Sequence, residues 1–211
     1  MSMLGTLGKV AMGILVAKGV GKIMGGGSSS SGGSLLDGLG GLLGGGASGA
    51  GANGGLGGLL GSLAGSQQSS QEDSTKDFGS LFNDAIQGKE PEPTAEQNQQ
   101  AEILLLAMVS AAKADGEIDA SEQKKILDQL DDDSEDAEMV REAVQAPLDL
   151  QGLIDRVPSG MEQQVYLISL LAINLDSKEE AAYLDKLAKG LNISNAVSNQ
   201  IHDKLGAPQL Y

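Results

Sequence analysis

The run Ala112-Lys-Ala-Asp-Gly-Glu-Ile-Asp-Ala-Ser-Glu122 decides how this chain is read. Asp115, Glu117 and Asp119 alternate around Gly116, and Glu122 follows just beyond. A long apolar segment enters the run and an amphipathic one leaves it, which predicts a helix, a tight acidic turn and a second helix. Such a turn converges carboxylates, as a site for a hard cation does. Asp119-x-x-Glu122 also has the Asp-led form of a capping box, in which both side chains close a helix start. Ligand and cap are two readings of one stretch, and both remain open at this point.

Around that run, helix starts and stops follow one another at short intervals. Thr94-Ala-Glu-Gln97 is a capping box, and apolar residues then run from 101 to 112. A second helix over 120–130 buries Ile126, Leu127 and Leu130. Ser134 caps a third with Ala137, Val140 and Val144 on one face, and Pro147 ends it. A short fourth covers 148–157. Ser159-x-x-Glu162 starts the fifth, whose apolar body is 165–175. Asp176-Ser177 caps the sixth, over 178–189, with Gly190 at the stop. Ser194 opens the seventh, closed by Gly206 and Pro208. This predicts an all-α, compact seven-helix bundle over residues 94–207, a length that can bury its own core. The first and fifth helices are apolar all round and belong at its centre. Tyr166 and Tyr183 read as core residues, His202 beside Asp203 as a surface histidine, and the acidic run 128–138 as a solvated loop and helix start.

The first helix–turn–helix unit is echoed by the fifth and sixth helices, where an apolar segment again runs into an acidic start. If the two units face each other, Asp115, Asp119 and Glu122 meet Asp176, Glu179 and Glu180 across one site.

The other end of the chain has a different composition. Of the 31 Gly, 24 lie in residues 1–65. Residues 1–24 form a short apolar N-terminal segment, with an uncharged run over 10–17 between Lys9 and Lys18. That run falls short of the ~20 residues a spanning helix needs, and Lys18 and Lys22 follow too closely to suit a signal peptide. It reads as a membrane-touching or self-association helix. Residues 25–93 read as a Gly/Leu/Ser-rich and then polar linker, a low-complexity and largely disordered arm. Its Leu pairs (Leu35-Leu36, Leu42-Leu43, Leu59-Leu60) also suit a tether that orders against lipid or other copies. A short helix over 76–86 carries Phe78, Leu81, Phe82 and Ile86 at helical spacing.

Charge separates the halves as well. Residues 1–89 hold five basic and five acidic residues, while 90–211 hold nine and 24, so the whole net charge of −15 sits on the helical part. An acidic domain repels phosphate backbones, which disfavours nucleic acid and favours cations or a basic protein partner. The absence of Cys excludes thiol catalysis, disulfides and Cys-zinc sites. One His and no Cys offer no nucleophile–base pair of the usual kinds. No phosphate-binding Gly loop is present, because the Gly-rich stretch lacks the Gly-Lys-Ser/Thr ending. The acidic turn is not an EF-hand either, since positions six and twelve from Asp115 are Ala120 and Ile126 rather than Gly and Glu.

Taken together, residues 112–122, the run Ser169-Leu-Leu-Ala-Ile-Asn-Leu-Asp176-x-x-Glu179, and Ala182-Tyr-Leu-Asp-Lys-Leu-Ala188 resemble the TerB-like helical domain of tellurite-resistance-related proteins. The Gly/Leu-rich N-terminal layout is similar to the YebE-type subgroup, described as associated with the inner membrane. The resemblance covers about residues 95–206 and the layout of the first 65. It implies an all-helical fold with acidic helix starts suggested to hold a metal ion. Residue by residue, that points to Asp115, Asp119, Glu122, Asp176 and Glu179. Asn174 stands where the subgroup commonly carries another acid, which removes a charge from the second half-site.

The expectation is therefore a non-enzymatic TerB-like protein at the cytoplasmic face of the inner membrane. It binds a divalent cation (calcium, magnesium or manganese) through acidic helix starts and acts as a sensor or scaffold in a stress response. The rival expectation is a metal-independent acidic module that docks a basic protein. A metal-dependent hydrolase would need an open cleft and a general base with a shifted pKa, and neither is visible in the sequence.

Overall fold

The computed structural model describes residues 2–18, 78–116, 118–130, 134–173 and 175–211. The Gly/Leu-rich stretch 25–66 with its Leu pairs, the acidic residues 131–133, Glu117 and Asn174 lie outside the described residues. Nine helices and no strand occur among them: α1 (Met3–Lys18), α2 (Phe78–Ile86), α3 (Ala95–Ala112), α4 (Ala120–Leu127), α5 (Glu135–Gln145), α6 (Leu150–Arg156), α7 (Glu162–Leu171), α8 (Lys178–Gly190) and α9 (Asn195–Leu205). The all-α class holds, but the count of seven does not. Seven helices lie beyond residue 94, and α1 and α2 pack with them.

The N-terminal helix is a core element. Leu4, Leu7, Val10, Ala11 and Ile14 are fully or almost fully buried, and α1 packs against α2, α3 and α4. Gly in a helix costs about 1 kcal/mol relative to Ala, so the Gly content of α1 needs a reason in packing. A Cβ on Gly8 would lie 2.8 Å from the Ala85 carbonyl carbon, and one on Gly13 would lie 2.9 Å from Ile126 Cα. These two positions let the backbones of α2 and α4 approach α1 more closely than any side chain permits. Thr6, also buried, donates to Asp136 at 3.1 Å and so ties α1 to the start of α5. From α2, Phe78, Leu81, Phe82 and Ile86 enter the same core.

The expectation that the two most apolar helices are central is met by α3 and α7, which pack on each other. Leu104 and Leu105 of α3 and Val165, Tyr166, Leu167 and Ile168 of α7 are fully buried. Around them, α5 and α6 pack on α3, and α6 and α7 pack on α8. Among the described residues no helix is long and apolar enough to cross a membrane.

Most helix starts follow local chemistry. Thr94, Ser134 and Ser194 each accept from a backbone N–H one turn into their helices. Three sites differ from the sequence reading. The Ser159-x-x-Glu162 box does not form: α7 begins after Met161 with no side-chain cap, and Glu162 instead accepts from Gly160 N–H at 2.8 Å. Gly190 does not stop α8 but is its last residue, where a Cβ would meet Ile154 Cδ1 at 2.3 Å. The left-handed turn falls on Asn192 instead, at φ 55°. His202 is not on the surface. It is fully buried.

Candidate functional site

The first bend is shaped by Lys113, Gly116 and Ile118. Lys113 ends α3, and Gly116 N–H donates to its carbonyl at 3.1 Å. Gly116 has φ 144°, a conformation that L side chains rarely adopt, so the residue after Asp115 is constrained to Gly. Ile118 then turns into the core. Asp119 caps α4: one carboxylate oxygen accepts from Ser121 N–H at 2.7 Å and Glu122 N–H at 2.8 Å, and Glu122 reaches back to Asp119 N–H at 3.0 Å. The box is complete. Such a cap contributes ~0.5–2 kcal/mol, and Glu122 also sits favourably at the positive end of the helix dipole.

The second bend solves the same problem with other residues. Ser177, not Asp176, is the cap of α8, accepting from Glu180 N–H at 3.1 Å. Glu180 folds back to accept from Asp176 N–H at 3.0 Å and Ser177 N–H at 3.3 Å, and it is only 2% exposed. Of the pair Asp176-Ser177 expected to cap this helix, Ser177 does so, because it is one residue nearer and the spacing Ser177-x-x-Glu180 fits the box. Asp119 and Ser177 are thus structural equivalents. Glu122 then corresponds to Glu180, which leaves Glu179 exposed at the second helical position, outside the cap.

This offset decides which acids converge. Asp115 and Glu179, 64 positions apart, line one cavity of about 460 Å³ together with Gln123, Val144, Pro147 and Leu148. Asp119, Glu122 and Asp176 are not among its lining residues. The volume falls in the range of ~300–1,000 Å³ typical of ligand clefts. Among the described residues, no group of three or more His, Asp or Glu side chains is placed to hold a metal ion. Two carboxylates fall short of the six or more oxygens of a calcium cage. The five acids named by the resemblance are therefore divided, with two at the cavity, two in the α4 capping box, and Asp176 exposed beside the second bend.

Two features escaped sequence reasoning. Lys113 is 6% exposed, and its ammonium donates to the Ala143 and Ala146 carbonyls at the end of α5. A cation there satisfies carbonyls that the helix leaves open and complements the negative end of its dipole. It fastens the segment from Ala146 to Leu148 that walls the cavity. Its signal was a Lys inside the small apolar run Ala111-Ala112-Lys113-Ala114. The second feature is a buried network between α7 and α9. Tyr166 hydroxyl pairs with Ser198 hydroxyl at 2.8 Å and with His202 Nε2 at 2.9 Å, while His202 Nδ1 faces the Pro208 carbonyl. Because that carbonyl can only accept, Nδ1 carries the proton and Nε2 accepts from Tyr166. Burial holds the imidazole below its ordinary pKa, opposed by the Pro208 hydrogen bond and by Asp203. Tyr183, hydrogen-bonded to Ser110 at 3.0 Å, is pushed up to about 12 by burial.

A family model described as "Protein of unknown function (DUF533)" matches residues 8–205, from within α1 to the end of α9. No curated protein and no solved structure matches the chain.

Proposed function

We propose, for a chain that belongs to the DUF533 family, a non-enzymatic role as a TerB-like acidic module that docks a basic side chain of a partner protein between Asp115 and Glu179. The relation of DUF533 to the TerB-like family supports the TerB-like reading. The observation that carries the docking role is the shared cavity: two acids from separate bends face one open space with an apolar far wall of Val144, Pro147 and Leu148. A guanidinium or ammonium with its aliphatic stem matches such a lining, charge to carboxylates and stem to apolar wall. Asp119 and Glu122 serve stability by closing α4.

The test uses the full-length, 15N-labelled protein and n-butylguanidinium as an arginine mimic. Saturable shifts of the Asp115, Gly116 and Glu179 amides are expected, weakened by salt and lost in Asp115→Asn/Glu179→Gln. Identical shifts in the double variant would overturn the docking role.

The same convergence favours a second reading, in which a hydrated divalent cation bridges Asp115 and Glu179. Magnesium keeps several waters and needs only one or two carboxylates. Calcium, magnesium or manganese would then raise the melting temperature of the full chain, but not of the double variant. We place the protein at the cytoplasmic face of the inner membrane as a scaffold or sensor. Since Leu4, Leu7, Val10, Ala11 and Ile14 of α1 are buried in the core, we assign attachment to residues 25–66. Cell fractionation with and without residues 25–66 tests this.

A further inference from the structure

A second, smaller cavity of about 220 Å³ adjoins the acidic one, sharing Lys113, Ala146, Pro147 and Leu148 with it. Its distinctive lining combines aliphatic Leu106 and Val109 of α3 and Leu153 of α6 with the polar Ser110, Asp149 and Arg156. Lys113 does not give it a cationic floor, because that ammonium is turned to the Ala143 and Ala146 carbonyls. A dry apolar cavity of ~150 Å³ holds a benzene ring, so this one accommodates a single Leu, Met or Phe side chain. Between the two cavities stands Leu148, which is 43% exposed and one of two large exposed hydrophobic residues among those described. The wall is stiff for covalent and local reasons. Pro147 fixes its own φ, Ala146 is extended at ψ 149°, and Lys113 fastens both carbonyls below it. A preformed wall lowers the ordering cost of binding.

We infer that the partner is a short peptide segment bearing one Lys or Arg and one large apolar side chain, the cation seated between Asp115 and Glu179 and the apolar group beside Leu106, Val109 and Leu153. This rests on the docking role proposed above and adds its specificity. Charge fixes the orientation. Arg156 and Asp149 both line the smaller cavity and offset one another, whereas the larger one brings two acids, Asp115 and Glu179, together. The domain's net charge of −15 favours a basic segment over an acidic one.

The probes are Gly-rich peptides with a single Arg, alone or with one Leu placed one to five residues after it, titrated into the full-length labelled protein. At one spacing the Leu peptide binds at least about ten-fold tighter than the Arg-only peptide, the gain expected from burying one such side chain. It also shifts the Val109, Gly152 and Leu153 amides, which the Arg-only peptide leaves in place. Leu106→Ala, at a partly buried position that lines the smaller cavity but not the acidic one, removes the Leu advantage and keeps the Arg response. Equal affinity of the Arg-only and Leu peptides at every spacing overturns the inference while the docking role stands. Loss of the guanidinium response itself overturns that role, and this inference with it.

Discussion

The two ends of this core are held together by different physics. Where α1 meets α2 and α4, stability comes from apolar burial at very short range, with Gly8 and Gly13 bringing backbones into contact. Where α7 meets α9, a tyrosine, a serine and a histidine are buried together, and their hydrogen bonds must all be made. The first end is intolerant of added volume. The second tolerates modest changes of shape and responds to pH. A single domain thus carries two distinct ways to fail.

The largest effect is expected from removing residues 1–18. Burying Leu4, Leu7, Val10 and Ile14 contributes ~1.5–3 kcal/mol each, which together rivals the whole ~5–15 kcal/mol stability of a domain. The truncated chain should lose its cooperative thermal transition in circular dichroism. A truncation with unchanged melting would remove α1 from the core. Next come Gly8→Val and Gly13→Val, each expected to destabilise by about 1–3 kcal/mol through overpacking. Helix propensity alone predicts the opposite sign, because Val is the better helix former, so urea denaturation decides between contact and propensity.

At the other end, Tyr166→Phe leaves His202 Nε2 and Ser198 without their partner at nearly constant volume. The expected cost is ~1–3 kcal/mol in the same assay. A smaller, pH-dependent effect belongs to His202. Its folded pKa lies below the unfolded value near 6.5, so the unfolded chain binds the extra proton first. The stability contributed by the neutral ring is present above pH 6.5 and is lost as pH falls through the folded pKa. Melting temperatures between pH 8 and 5 should fall more steeply for the native chain than for His202→Gln. Parallel profiles would assign the acid sensitivity elsewhere. Changes packed around α1 should leave that pH slope unaltered, which is the sharpest form of the contrast.

What could be read in advance follows the range of the interactions. Caps at Thr94, Asp119, Ser134 and Ser194 are decided within a single turn, so residue type and spacing were enough to find them. The pair Asp176-Ser177 was legible in the same way, and one step of spacing decides that Ser177 is the member that caps. That single step also separates Glu179 from the capping set and sends it to the cavity with Asp115, so the internal echo pointed to the pairing but not to its membership. His202 looked exposed because its sequence neighbour is Asp203, whereas its partner Tyr166 lies on another helix. The fate of α1 was least legible. Its glycines resemble those of the stretch that follows, and only the positions of Ala85 and Ile126 show that two of them are contact points.

The docking of α1 onto helices that begin at Phe78 also fixes a topological constraint. Residues 18 and 78, which flank residues 19–77, are brought into one core, so folding fixes the separation of those two points. The entropy of closure grows only with the logarithm of length, and doubling the insert would cost about 0.6 kcal/mol. For any insert that behaves as a flexible chain, added length therefore has little thermodynamic consequence, provided the two helices at its ends still meet.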